Sequence, residues 1–162
     1  MINITLPDGS VKQFEGNITP LDVAKSISEG LARNVLCASI DGNVVELSRT
    51  ISQDCALKLY TWNDAEGKQT FWHSSAHLLA AAVLELYPNA KFGIGPAIEN
   101  GFYYDIDFGD EVLSSEDFSK IEAKMAEIVK RSVSLVRKEV SLAEVLKWFE
   151  AKGEIYKVEL IN

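Results

Sequence analysis

The sequence is short of several things, and each shortage removes a class of protein. It holds two cysteines, Cys37 and Cys55, in 162 residues. They are too few and too isolated for a disulfide framework, so reduced, buried thiols are expected. No apolar run reaches the length of a membrane span. The opening MINITLPDGS has no basic stretch leading into an apolar core, so no secretory signal is read and a cytoplasmic protein away from membranes is expected. Basic residues are outnumbered, 16 against 24, for a net charge of −8. Residues 1–61 hold five basic and seven acidic side chains, which leaves eleven and seventeen for the remainder, so neither part is basic. A protein that grips nucleic acid by itself usually carries a basic excess. Any such contact must therefore be local, or most of the grip must lie elsewhere. There is no internal repeat and no low-complexity stretch. The apolar fraction of 47% and charged fraction of 25% suit one medium domain or two small ones.

Histidine is equally scarce, and its placement is the strongest local signal. His73 and His77 are the two histidines of the chain. They lie in FWHSSAHLLAAAVLELYP, where Ala76, Leu79, Ala80, Val83, Leu84 and Tyr87 recur at helical spacing. Four residues apart on a helix, the imidazoles share one face. A helix from about His73, ended by Pro88, is expected. The spacing is compatible with polar residues flanking an apolar helix, and equally with a ligand or acid–base pair. The metalloprotease pattern needs Glu after the first His, and Ser74 stands there.

Before this helix, Ile2–Leu6 and Val11–Phe14 read as a hairpin around Pro7-Asp8-Gly9. Thr19 caps a short helix with Pro20 at its first position, ending near Gly30. Val35–Ile40, Val44–Leu47 and Ala56–Thr61 read as strands, with an Asp41-Gly42-Asn43 turn. The order β-β-α-β-β-β suits a compact β-grasp module. Asn63 to Lys68 is polar and reads as a linker. Beyond the histidine helix, strands at 91–98 and 102–108 flank an Asn100-Gly101 turn expected to have positive φ at both central positions. Gly93, Gly95 and Pro96 within the first strand mark either a bulge close to a ligand or an irregular edge. Asp105 and Asp107 alternate with apolar neighbours and read as a solvated strand face. Ser114 or Ser115 starts another helix, Leu135–Val140 reads as a strand, and Ser141 with Glu144 forms a capping box for a third helix closed by Gly153. The tail from Glu154 has no clear form. The whole is an α+β chain, with a small β-grasp domain at 1–61 and, at 62–162, helices on an antiparallel sheet.

These segments resemble one family. MINITLPDGS and TPLDVAKSI, in β-grasp order, resemble the TGS domain at the start of bacterial threonyl-tRNA synthetases. HSSAHLLAAAVLELYP and KFGIGPAIENGFYYDIDF resemble the following domain, which removes mischarged serine from tRNA, and GEIYKVEL resembles a later segment of it. TGS occurs in other proteins, but joined in this order the motifs are specific. The resemblance implies that His73, His77 and Lys157 are catalytic in editing and that Gly95 and Tyr104 line the substrate pocket. It implies a site that positions water at the seryl ester without a required metal. The partner implied is threonine-specific tRNA, with its mischarged seryl form as editing substrate. The family's Cys-x-Gly-Pro-His stretch is missing, as are its aminoacylation and anticodon-binding domains, so a truncated N-terminal fragment is expected. ATP, Mg and Zn would belong to the aminoacylation domain, and dimerisation of the parent to missing domains.

Two other readings use the same residues. One is a free-standing TGS-containing regulatory or docking module without catalysis. The other is a metal-dependent hydrolase built on His73 and His77, which lacks evident further ligands. Two imidazoles leave a structural zinc site two protein ligands short. Elemental analysis of chain purified without chelator or added metal is therefore expected to find no stoichiometric zinc, and one tightly held zinc per chain would contradict this reading of the pair.

Overall fold

The computed structural model describes residues 1–161, which fall into two compact units, Met1–Trp72 and a second that begins at His73. The first is built from short-range signals. Strands β1 (Ile2–Thr5) and β2 (Val11–Phe14) pair antiparallel, Ile2 opposite Phe14. Gly9 takes φ +83 in the turn between them. Helix α1 (Pro20–Ile27) starts at a capping box in which Thr19 and Asp22 satisfy each other's exposed donors. Ser28 closes α1 through its backbone N–H and caps α2 (Glu29–Asn34) through its hydroxyl, so one residue turns the chain between two helices. Helix α2 is not anticipated by the sequence pattern.

Strands β3 (Val35–Ile40), β4 (Asn43–Val45) and β5 (Cys55–Thr61) complete a five-stranded mixed sheet in the order β2-β1-β5-β3-β4. β1 and β5 run parallel at its centre. The β3–β4 turn is made by Asp41 and Gly42, φ +48 and +85, and Asp41 also accepts the Ala56 N–H. Positive φ at both positions matches the twist of a tight hairpin. Ile4, Val23 and Leu57 are fully buried where α1 covers the sheet. Each such side chain contributes about 1.5–3 kcal/mol by leaving water. Cys37 and Cys55 are buried and unbridged, and burial pushes both thiols above the ordinary range.

The expected linker is instead helix. α3 runs from Ala65 to Leu86, 22 residues, beginning eight residues ahead of His73. The Asp64 carbonyl accepts the first helical N–H, from Lys68, while its carboxylate takes the Thr61 N–H and hydroxyl. Asp64 thus ties the end of β5 to the start of α3, a link that a polar composition does not disclose. Gly67 in the first turns is required by space: a Cβ there would lie 1.9 Å from the Thr61 carbonyl oxygen. Trp62, Phe71 and Trp72 stack edge to face around the same turn.

In the second unit, Ala82 and Val83 of α3 pack with Ala90, Phe92 and Ile121. The expected long hairpin is pared to two short antiparallel ladders. β6 (Lys91–Phe92) pairs with β9 (Ile106–Asp107), and β7 (Ala97–Ile98) with β8 (Gly101–Phe102). Gly93 to Pro96 breaks the strand between β6 and β7, as interior Gly and Pro favour. Positive φ occurs at Gly101 alone in that turn, at +149, not at Asn100. Helices α4 (Ser115–Lys130) and α5 (Leu142–Ala151) begin at the capping boxes Ser114–Asp117 and Ser141–Glu144. Leu135–Val140 is not a strand: no described strand pairs with it, and Leu135 and Val136 are 85% and 86% exposed. A β-prone run without a ladder partner has nothing to offset its ordering entropy. Gly153 at φ +66 ends α5, and the tail forms a seven-residue helix, α6 (Ile155–Ile161).

Gly67→Ala improves intrinsic helix propensity by about 1 kcal/mol. The clash with Thr61 should reverse that sign, for a net loss of about 1–3 kcal/mol in denaturant unfolding; a stabilised variant would show that β5 and α3 do not meet as described.

Candidate functional site

α3 places His73 and His77 one turn apart, and the Nε2 atoms are 3.1 Å from each other. The rings cross nearly at right angles, 82°, with centroids 4.6 Å apart. At this distance one nitrogen carries the proton and the other accepts it. Both residues keep solvent access. The His77 imidazole is nevertheless crowded enough by protein that burial lowers its pKa, helped by His73 and then by the positive charge of Lys157. His77 is thus held toward the neutral form near pH 7, able to accept or relay a proton.

Lys157 comes from α6, 64 residues further along the chain than its main acceptor. Its Nζ donates to the Gly93 carbonyl at 3.0 Å and to the Tyr104 hydroxyl at 3.4 Å. The Gly93 carbonyl is available because the β6–β9 ladder continues past Phe92: the Gly93 N–H donates to the Asp105 carbonyl, and the Asp105 N–H to Ile94. Tyr104 is fixed from two further sides. Phe92 meets its ring edge to face at 5.6 Å, and Gly95 lies beneath it. A Cβ at Gly95 would fall 2.4 Å from the Tyr104 ring, so only glycine allows the ring this position. Lys157, Tyr104, Gly93 and Gly95 are therefore one packed group. The positive charge of this lysine is the smallest of the three influences that lower the His77 pKa.

An open cleft of about 960 Å³ lies beside this group. Gly93, Ile94 and Tyr104 form one wall, and Tyr156, Glu159 and Leu160 the other. Neither histidine lines it. Among the described residues no group of three or more His, Cys, Asp or Glu is placed to hold a metal ion. No described helix is long and apolar enough to cross a membrane.

Sequence reasoning missed three participants. The Gly93 carbonyl is a backbone atom and carries no side-chain signal. Asp107 is exposed, as a solvated strand face requires, but its carboxylate is engaged: Oδ1 accepts the Gly109 N–H at 2.8 Å and Oδ2 the Tyr156 hydroxyl at 2.9 Å. Tyr156 falls in the tail from Glu154, where no local pattern indicates a form.

The β-grasp sheet with one covering helix defines the class of the first unit, and residues 2–61 match the family model described as TGS domain. The comparison with curated proteins extends further. The chain is 55% identical over all 162 residues to the threonine–tRNA ligase of Cytophaga hutchinsonii, 54% to that of Clostridioides difficile and 50% to that of Bacteroides fragilis. Each match covers 100% of this chain and 25% of the relative. The chain thus has a TGS domain and is similar, along its whole length, to the N-terminal region of bacterial threonine–tRNA ligases, of which it spans about a quarter.

The lowered His77 pKa gives a direction that can be measured. The unfolded chain takes up this proton in the ordinary histidine range, about 6.5, and the folded chain only at lower pH. His77 therefore opposes folding as pH falls through that window and has no such effect above it. Imidazole NMR titration should find His77 titrating below the ordinary value and shifted upward by Lys157→Ala; an unshifted His77 would contradict the packing described.

Proposed function

We propose that this chain is the N-terminal region of a threonine–tRNA ligase, with a TGS domain at 1–61 and the N-terminal part of an editing domain at 62–162. The parent enzyme joins threonine to its tRNA at the expense of ATP. This region contributes to hydrolysis of seryl-tRNA made in error. What supports this reading is the Lys157–Tyr104 hydrogen bond and the His73–His77 contact, in a chain so similar to these ligases.

The need for editing follows from the substrates. Serine lacks one methyl of threonine, and a methyl gives a binding site only ~1–3 kcal/mol of selectivity. A second, hydrolytic site makes up the shortfall. The substrate there is an ester, with a fair leaving group, so positioning water and supporting the oxyanion supply much of the rate. His73 and His77 bind the ribose hydroxyl or pass a proton between water and the leaving oxygen. Lys157, its ammonium held against the Gly93 carbonyl and the Tyr104 hydroxyl, supports negative charge as it develops on the carbonyl oxygen. Tyr104 and Gly95 shape the surface against which the aminoacyl end lies. ATP, Mg and Zn serve the aminoacylation reaction and are assigned to the longer ligase, not to residues of this chain. The protein works in the cytoplasm, with tRNA as partner, and the parent dimerises through other domains.

In the full-length ligase, His73→Ala or Lys157→Ala should slow release of labelled serine from seryl-tRNA by about 100-fold or more. Threonine activation should stay at the parent level. The 162-residue chain alone should hydrolyse weakly or not at all, because a net charge of −8 gives little purchase on tRNA. A substituted ligase that deacylates seryl-tRNA normally would remove that residue from the mechanism.

A further inference from the structure

Lys157 is carried by a short helix that packs against α5 and β6 without burying any residue fully. α6 has seven residues and none is buried. A helix this short does not persist in water without tertiary support, because nucleation costs more than so few hydrogen bonds return. Its neighbours in sequence, Tyr156 and Lys157, each reach a different strand of one ladder. Lys157 binds the Gly93 carbonyl, just past β6. Tyr156 binds Asp107, the last residue of β9, which lies opposite Lys91 in the register.

We propose that Tyr156 and Asp107 form a positioning latch that seats α6 and thereby sets the Lys157 ammonium against Gly93 and Tyr104. Asp107 is prepared for the task. The Gly109 N–H fixes one carboxylate oxygen and leaves the other aimed at Tyr156. The same two hydrogen bonds hold the Asp107 carboxyl below its ordinary range, the backbone one more strongly, so the acceptor stays ionised at neutral pH. The carboxylate in turn raises the Tyr156 hydroxyl, which remains a donor. Strand register fixes the distance between Asp107 and Gly93, and adjacency on α6 fixes that between Tyr156 and Lys157. Release at the latch therefore frees the lysine. The consequence for ester hydrolysis rests on the editing role proposed for Lys157, whereas the latch itself does not.

The test reads the lysine directly. The 162-residue chain is treated with trace acetic anhydride, and the acetylation rate of each lysine is followed by mass spectrometry in wild type, Tyr156→Phe, Asp107→Asn and the double variant. Lys157 should acetylate about fivefold faster in each single variant, as expected for loss of one hydrogen bond's worth of restraint. The double variant should add nothing further, since either change opens the same latch. Lys130 and Lys138 should keep their rates, and the Phe92 and Ile106 amides their protection. An unchanged Lys157 rate in both single variants would overturn the proposal. So would a rise at every lysine with loss of Phe92 protection, because the contact would then support the fold at large. Seryl-tRNA hydrolysis by the Lys157→Ala ligase separates the two ideas: a silent substitution removes the catalytic role and leaves the latch, while unchanged acetylation removes the latch and leaves the role.

Discussion

The carbonyl of Gly93 is the point on which the site depends. A peptide oxygen just past the end of a two-residue strand is a weak landmark, yet the Lys157 ammonium is anchored there. It is in place because Phe92 is buried in the core of the second unit and because the β6–β9 ladder continues through Gly93 and Asp105. Displacing Phe92 would move the carbonyl, and with it the lysine. The chain of cause runs from an apolar side chain, through strand register, to the placement of a charge.

Glycine serves this arrangement by absence of bulk. Gly93 lets the two strands approach, since a Cβ there would sit 3.2 Å from the Asp105 Cβ. Gly95 gives the Tyr104 ring its seat. Gly67, in the first unit, lets the start of α3 lie against Thr61. In each case the backbone is where a side chain would otherwise be. Intrinsic propensity, which disfavours glycine in helices and strands, is outweighed by the packing it permits.

The fold was legible where its determinants are local. Thr19, Ser114 and Ser141 announce helix starts, and Asp41-Gly42 announces a hairpin, because cap and turn chemistry is complete within a few residues. The β-grasp order followed. What escaped was set at a distance. Asp64 and Gly67 turn a polar stretch into helix through Thr61. Leu135 to Val140 has a strand's composition, but no described strand pairs with it. In the candidate site, the contact between the two histidines was legible because i and i+4 share a helix face. Lys157 was visible through family resemblance alone, since its hydrogen bond to Gly93 spans 64 residues. The Tyr156–Asp107 contact spans 49 and left no pattern.

The hydrogen bond from Lys157 to Gly93 is what places the charge. NMR of the side-chain ammonium, with carbonyl carbon labelled at Gly93, can detect coupling across that bond. A correlation between Lys157 Nζ and the Gly93 carbonyl is expected, with ammonium exchange slower than at Lys130 or Lys138. No correlation, with Lys157 exchanging as fast as those surface lysines, would contradict that placement.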